Sequence, residues 1–293
     1  MNKIQLKALG KINLGLDVLK RREDGYHEVK MIMQTVSLCD ELELKKSWKE
    51  GIKVQTNLYY LPTNENNLVY KAAQLLMEEF DIRDGISIQL KKKIPVSAGM
   101  AGGSSDAAAV LWGMNQMYGL GLSCKDLMER GVKLGADVPY CILRGTALAE
   151  GIGERLTVLP PMPKCYLLIA KPGVNVSTKY VYENLHANDL KAEQHPDVDA
   201  MIEALKEKDL AALSSRMGNV LETVTVSAYP VIDRIKKCMM SAGALGAMMS
   251  GSGPTVFGIF DNQEKARRAY RGMKGKRFVK QAYVTVPYNV RRI

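Results

Sequence analysis

Residues 94–109 read IPVSAGMAGGSSDAAA, and no other stretch restricts the fold of this chain so tightly. Gly99, Gly102 and Gly103 can take positive φ and bring bare backbone N–H groups close to a ligand. Ser104 and Ser105 stand where a helix would begin, over 104–119, with hydroxyls able to cap it or to bond a phosphate oxygen. Free N–H groups at a helix start, with the positive end of its dipole, make an anion site that needs no lysine. The G-x-x-x-x-G-K-[ST] pattern of the usual phosphate loop is absent. Two readings stand on the spacing alone: a phosphate cradle, or a tight turn with a serine cap and alanines chosen for close helix packing.

Three further stretches hold candidate chemistry. Asp24-Gly25 is a hairpin-turn signal, flanked by Lys11, Asn13, Tyr26 and His27. In KLGADVPYCI, Asp137 follows a helix end at Gly135, and Pro139 disfavours helical backbone at Val138, so an irregular turn is expected. Asp137 is there either as a turn-former or as a carboxylate that orients the proton of a substrate hydroxyl. MSGSGPTVFGIF places Gly251 and Gly253 around Ser252, beside an apolar strand. Such a turn serves close backbone approach, or presents N–H groups with Ser250 or Ser252 to a second ligand.

Around these motifs, 1–60 alternates as strands, and a helix is expected over 65–80 with Asn64 or Asn66 near its start. Strands are expected at 85–95, 165–173 and 281–287, and helices at 123–135, 197–217, 228–242 and after Asp261 or Asn262. Pro160, Pro161 and Pro163 punctuate the chain, which places a domain boundary near 160 and gives domains 1–160 and 161–293. Strands and helices mix without a βαβ rhythm, so the fold class is α+β.

The five cysteines are scattered and odd in number, without a C-x-x-C pair, which argues against a disulfide framework or a zinc site and fits a reducing cytoplasm. Lys3, Lys7 and Lys11 interrupt the first residues, so neither a signal peptide nor a membrane partner is expected. Net charge is +10, from 41 Lys and Arg against 31 Asp and Glu, and favours anionic partners. The densest basic run, 265–280, reads as a solvated face rather than a nucleic-acid site, because no nucleic-acid motif accompanies it.

KINLGLDVLKRREDGYHEV, GGSSDAAA, GADVPY and MSGSGPTVFGIF occur in this order from residue 11 to 260, and together they resemble the GHMP small-molecule kinases. DGYHEV points to the branch that phosphorylates a cytidine-diphosphate-linked sugar alcohol in the non-mevalonate route to isoprenoid precursors. The resemblance implies an N-terminal domain like ribosomal protein S5 domain 2 and a ferredoxin-like C-terminal domain. It implies transfer of the γ-phosphate of ATP, with Mg²⁺, to a 2-hydroxyl. Carried onto this chain, Lys11 and Asp137 match the catalytic pair. Pro95, Val96, Ser97, Ala98, Gly99, Met100, Ala101, Gly102, Gly103, Ser104 and Ser105 match the ATP loop. Asn67 matches a nucleotide-pocket position and Asn13 a substrate contact. Tyr26, His27 and Tyr182 match cytidine-recognising positions, the rings by stacking and His27 by hydrogen bonds.

One departure is visible: Ser97, Ala98 and Ala101 stand at three positions where the family's loop carries glycine. Left-handed backbone at Ala101 would store about 1 kcal/mol of strain or more. The alternatives are a kinase of the same fold for mevalonate or homoserine, and an RNA-binding module in which Lys11 and Asp137 would be dispensable. A diphosphate substrate and ATP account for the basic charge with no nucleic-acid partner.

Overall fold

The computed structural model describes residues 1–290 and is a mixed α+β architecture. The chain runs β1 (Lys3–Arg21), β2 (His27–Ser47), β3 (Ile52–Thr56), α1 (Leu68–Glu79), β4 (Gly85–Lys91) and α2 (Gly102–Tyr118). Next come α3 (Cys124–Val132), α4 (Val138–Leu143), β5 (Thr146–Gly151), β6 (Arg155–Val158) and β7 (Tyr166–Pro172). Then follow α5 (Thr178–Glu183), α6 (Val198–Lys206), α7 (Leu210–Ser215), α8 (Glu222–Ala228) and α9 (Val231–Ser241). β8 (Gly246–Met249), β9 (Val256–Phe260), α10 (Gln263–Lys274) and β10 (Val279–Thr285) complete it. No helix of the described residues is long and apolar enough to cross a membrane.

Met1–Gly10, Leu38–Val96 and Ala101–Leu143 form one compact unit; Lys11–Ser37, Ser97–Met100 and the described residues 144–290 form the other. In the first, the end of β2 pairs antiparallel with β4, from Glu41↔Lys91 to Ser47↔Gly85, and β4 pairs in parallel with β3. Alternation puts Leu42, Leu44, Ile86 and Ile88 inside. Helix α1 buries Val69, Ala72, Ala73 and Leu76, one face at helical spacing. Helix α2 is buried along most of its length, and a Cβ on Gly113 would sit 2.5 Å from the Leu6 side chain. Its alanines and glycine therefore let the helix lie close to β1.

In the second unit, the start of β2 pairs with β5, from Val29↔Gly151 to Gln34↔Thr146, and β5 pairs with β6. A separate sheet has the order β10-β7-β9-β8, antiparallel throughout. With α9 between β7 and β8 and α10 between β9 and β10, it is the split β-α-β-β-α-β arrangement expected of a ferredoxin-like domain. Every residue of β9 is buried, as a central strand requires.

Three local expectations are corrected. Asn67, not Asn64 or Asn66, caps α1: its side chain accepts from the Val69 N–H at 3.0 Å and donates to the Pro62 carbonyl at 2.7 Å. The helix expected over 197–217 is broken into α6 and α7, because Lys208 turns to φ +58 and Asp209 caps a new helix. Pro139 lies in the first turn of α4, where its missing N–H is one the helix leaves unbonded anyway, so Val138 is helical after all.

Candidate active site

The glycine-serine stretch enters α2 through Ala101, which takes φ +51 and ψ 33, the left-handed conformation its missing glycine would have suited. Ser97 is also left-handed, at φ +49. No side chain caps α2, so neither serine makes the plain capped turn. The Ser105 N–H begins the helical ladder on the Ala101 carbonyl at 2.8 Å, and its hydroxyl donates to the Leu9 carbonyl at 2.6 Å. Ser105 thus ties α2 to β1. The amides of Gly102, Gly103 and Ser104 precede that first ladder bond and are oriented for an anion. A Cβ on Gly103 would lie 3.5 Å from Leu68, so the start of α1, with Asn67 as its cap, adjoins the start of α2. Pro95, Ala98 and Met100 are buried and anchor the stretch, whereas Ser97 and Gly103 are exposed.

Beneath the first turn of α2 lies a cluster that the sequence reading missed. Lys92, buried, donates to Asp106 Oδ2 at 2.6 Å and is also bonded to Asp40. Asp40 in turn accepts the backbone N–H groups of Lys93 and Ile94. A Cβ on Gly102 would lie 3.2 Å from Lys92 Nζ, which puts the ammonium directly under the helix start. Asp106 Oδ1 is buried without a hydrogen-bond partner among the described residues. Burial pushes the Asp106 carboxyl well above its ordinary range, with Lys92 pulling the other way. Burial pulls Lys92 down, but Asp106 and Asp40 more than offset it and hold its pKa above the usual value. The signal was available: in Lys91-Lys92-Lys93, strand alternation sends the middle lysine inward, between two exposed neighbours.

In the second unit, Lys11 and Asn13 lie on β1, both buried. Lys11 Nζ donates to Asn13 Oδ1 at 2.7 Å, and Asn13 Nδ2 donates to Met31 Sδ at 3.2 Å. The Lys11 N–H donates to the Met100 carbonyl at 3.1 Å, which joins the candidate lysine to the loop. The other glycine turn meets the same loop: Ser250, fully buried, donates from Oγ to the Gly99 carbonyl at 2.8 Å. Gly99 is at φ +69, and a Cβ there would stand 2.0 Å from the Ser250 carbonyl oxygen. Gly251 and Gly253 are left-handed as well. Asn219, another residue missed from sequence, holds this turn by donating to the carbonyls of Met249 and Gly251 at 2.9 and 2.8 Å.

The Asp24-Gly25 turn joins β1 to β2 as expected, with Gly25 at φ +85. It leaves Tyr26 60% exposed. His27 lies against Tyr182, ring centroids 5.1 Å apart at 42°, although 155 positions separate them. Burial, then the charge of Arg21, lowers the His27 pKa, so near neutral pH one ring nitrogen donates and the other accepts. Asp137, half-buried, immediately precedes α4, and its carbonyl accepts the Cys141 N–H at 3.0 Å. Within its own unit no hydrogen bond or ion pair engages its carboxylate among the described residues.

Comparison with known proteins agrees with these features. The family model "GHMP kinases N terminal domain" matches residues 67–145, and "GHMP kinases C terminal" matches 201–280. The 4-diphosphocytidyl-2-C-methyl-D-erythritol kinase of Lachnospira eligens is 57% identical over 285 residues, covering 97% of this chain and 98% of that protein. A crystal structure of 4-(cytidine 5'-diphospho)-2C-methyl-D-erythritol kinase superposes with a TM-score of 0.84 at 33% identity, over 98% of this chain and all of the other. A homoserine kinase from Cytophaga hutchinsonii gives 0.79 at 25% identity, over 99% of this chain and 95% of that one. The loop that opens α2, the glycine turn that holds it and full-length identity of this order leave one assignment: the chain belongs to the 4-diphosphocytidyl-2-C-methyl-D-erythritol kinase family of the GHMP kinases.

Proposed function

We propose that this kinase transfers the γ-phosphate of ATP to the 2-hydroxyl of 4-diphosphocytidyl-2-C-methyl-D-erythritol, in the cytoplasm, on the route to isoprenoid precursors. What carries the reading is 57% identity, across nearly all of both chains, to a kinase of that name. The site residues fit it. Residues 95–105, with the amides that open α2, bind the ATP phosphates, and Asn67 lines the nucleotide pocket at the neighbouring helix start. His27 reads the cytosine edge with one donor and one acceptor, while Tyr26 and Tyr182 supply the stacking rings. Asn13, fixed by its bond from Lys11, positions the substrate.

In the reaction the 2-hydroxyl oxygen bonds to the γ-phosphorus, the bond to ADP breaks, and the hydroxyl proton leaves. Asp137 accepts or orients that proton. Lys11 offsets charge on the moving phosphoryl group, because a loose transition state asks mainly for positioning and neutralisation. The Ser104 hydroxyl and the Asp137 carboxylate are hard oxygen donors of the kind Mg²⁺ accepts, one or two at a time beside phosphates and water. Bound there, Mg²⁺ would supply charge neutralisation on the phosphates. Residues 1–160 form the ATP-binding domain in this reading and 161–293 the second domain.

The test is ADP release by the purified protein with ATP, Mg²⁺ and the cytidine substrate, against mevalonate and homoserine. Turnover of the cytidine compound alone is expected, and its absence would sink the proposal.

A further inference from the structure

We propose that the groove between α9 and α10 is a second ligand site, which takes a small amphiphilic phosphate: a diphosphate or phosphate carried on a short apolar tail. The groove, open to solvent along one side, offers about 700 Å³, a volume a small molecule could occupy. None of its lining belongs to the residues assigned to the kinase reaction.

Its chemistry is divided. Ala269 and Met273, both buried, and half-buried Cys238 make an apolar floor. Arg234, Lys237, Arg268 and Lys276 stand around it, exposed. The one carboxylate in the lining, Asp233, is taken by Lys237 at 2.7 Å. Arg234, Arg268 and Lys276 have no ion-pair partner among the described residues. The Arg234 guanidinium is held 4.2 Å from the centre of the Phe278 ring, which fixes its plane and leaves its N–H edge open to an anion. All three cations line the groove, so a phosphate bound there would meet positive charge without having to displace an ion pair.

Gly272 is the independent observation. It lies inside α10 at an ordinary φ, where glycine is a destabilising choice relative to alanine, and a Cβ there would meet nothing within 4 Å. No turn, cap or close approach in the fold requires it. What its missing side chain does is leave the groove wall open. A merely solvated basic face would gain from alanine or leucine at this position.

The test is calorimetry on the full-length protein with adenylyl imidodiphosphate and cytidine diphosphate saturating the reaction site. The probes are n-pentyl diphosphate, inorganic pyrophosphate and n-pentanol. One equivalent of pentyl diphosphate is expected to bind at least tenfold more tightly than pyrophosphate, with no binding of pentanol. Gly272→Leu, which fills the groove, and Arg268→Gln, at an exposed position, are each expected to weaken it at least tenfold while leaving kinase turnover unchanged. No binding of pentyl diphosphate, equal binding of pyrophosphate, or loss of binding once the reaction site is filled would each overturn the proposal. Undiminished affinity in the Arg268→Gln variant would do the same, even were Gly272→Leu to misfold.

Discussion

Gly99→Ala is the sharpest perturbation the loop offers. Gly99 sits at φ +69, where an L-residue carries about 1 kcal/mol of strain. The new Cβ would stand 2.0 Å from the Ser250 carbonyl oxygen, where real contacts are never below 3.0 Å, so one backbone must retreat by about 1 Å. That retreat breaks the buried bond from Ser250 Oγ to the Gly99 carbonyl, worth about 1–3 kcal/mol if its groups are left unpaired. Together these predict about 2–4 kcal/mol of destabilisation, or roughly 4–12 °C in Tm at about 2–3 °C per kcal/mol for a chain of this size. Displacement of about 1 Å at a phosphate loop also costs on the order of 10²-fold in kcat/KM for ATP.

Ala101→Gly is the control, because Ala101 is left-handed without such an obstruction. Relief of about 1 kcal/mol of strain there is offset by the entropy of a freer unfolded chain, about 0.4–1 kcal/mol, so stability stays within about 0.5 kcal/mol. Guanidinium unfolding followed by circular dichroism, with ADP-release kinetics on the same preparations, measures both variants. If Gly99→Ala matched wild type in stability and in KM for ATP, the loop would not rest on the 250–253 turn as described.

Asp137→Asn is expected to lower kcat by about 10²–10⁴-fold with little change in Tm, measured by ADP release and thermal melting; an undiminished kcat removes Asp137 from the chemistry. The His27 pKa lies below the ordinary 6.5, so the unfolded chain protonates first and stability contributed by neutral His27 is lost as pH falls from 6.5 through the lowered value. KM for the cytidine substrate should stay flat at and above pH 6.5 and rise only as pH falls to the lowered His27 value, and His27→Gln should flatten that rise; an identical pH profile in the variant would reassign the pocket. Asp106→Asn should cost less than Asp40→Asn in urea unfolding, since burial already works against the Asp106 charge, while Asp40→Asn loses charged bonds to Lys92 and two amides and should cost about 2–3 kcal/mol. Equal losses from the two would contradict the asymmetry of the cluster.

What was legible in the sequence was what local pattern controls. Val69, Ala72 and Leu76 announce α1 by spacing, and Asp24-Gly25 announces the β1–β2 turn. The fault lines were equally physical. Asn64, Asn66 and Asn67 are the same residue type within four positions, and only the path of the chain past Pro62 selects Asn67 as the cap. The break between α6 and α7 hangs on one residue, Lys208, taking a conformation that its side chain does not advertise. Lys92 was hidden in a run of three lysines that reads as solvated charge until strand alternation is applied to it. Tyr182 was reached through family resemblance, because contact with His27 across 155 positions has no local signature.

The buried cluster under α2 bears on how the proposed phosphate loop would work without a lysine of its own. Were both Asp40 and Asp106 ionised, the cluster with Lys92 would carry a net charge of −1 beneath the helix start. At about 5–10 Å and an effective permittivity of about 20, that charge would oppose each phosphate charge by roughly 2–3 kcal/mol. Burial raises the Asp106 pKa and so weakens that charge, while Lys92, bonded to Asp106 as well as to Asp40, pulls the other way. The weaker that negative charge, the less it would oppose the partial positive charge of the helix end at a bound phosphate. Asp106 Oδ1, buried and without a hydrogen-bond partner among the described residues, belongs to the same arrangement, because its lost hydration is part of what raises this carboxyl. In the proposed reading, the loop's affinity for anions would depend on the charge carried by Asp106 as well as on the amides that face the ligand.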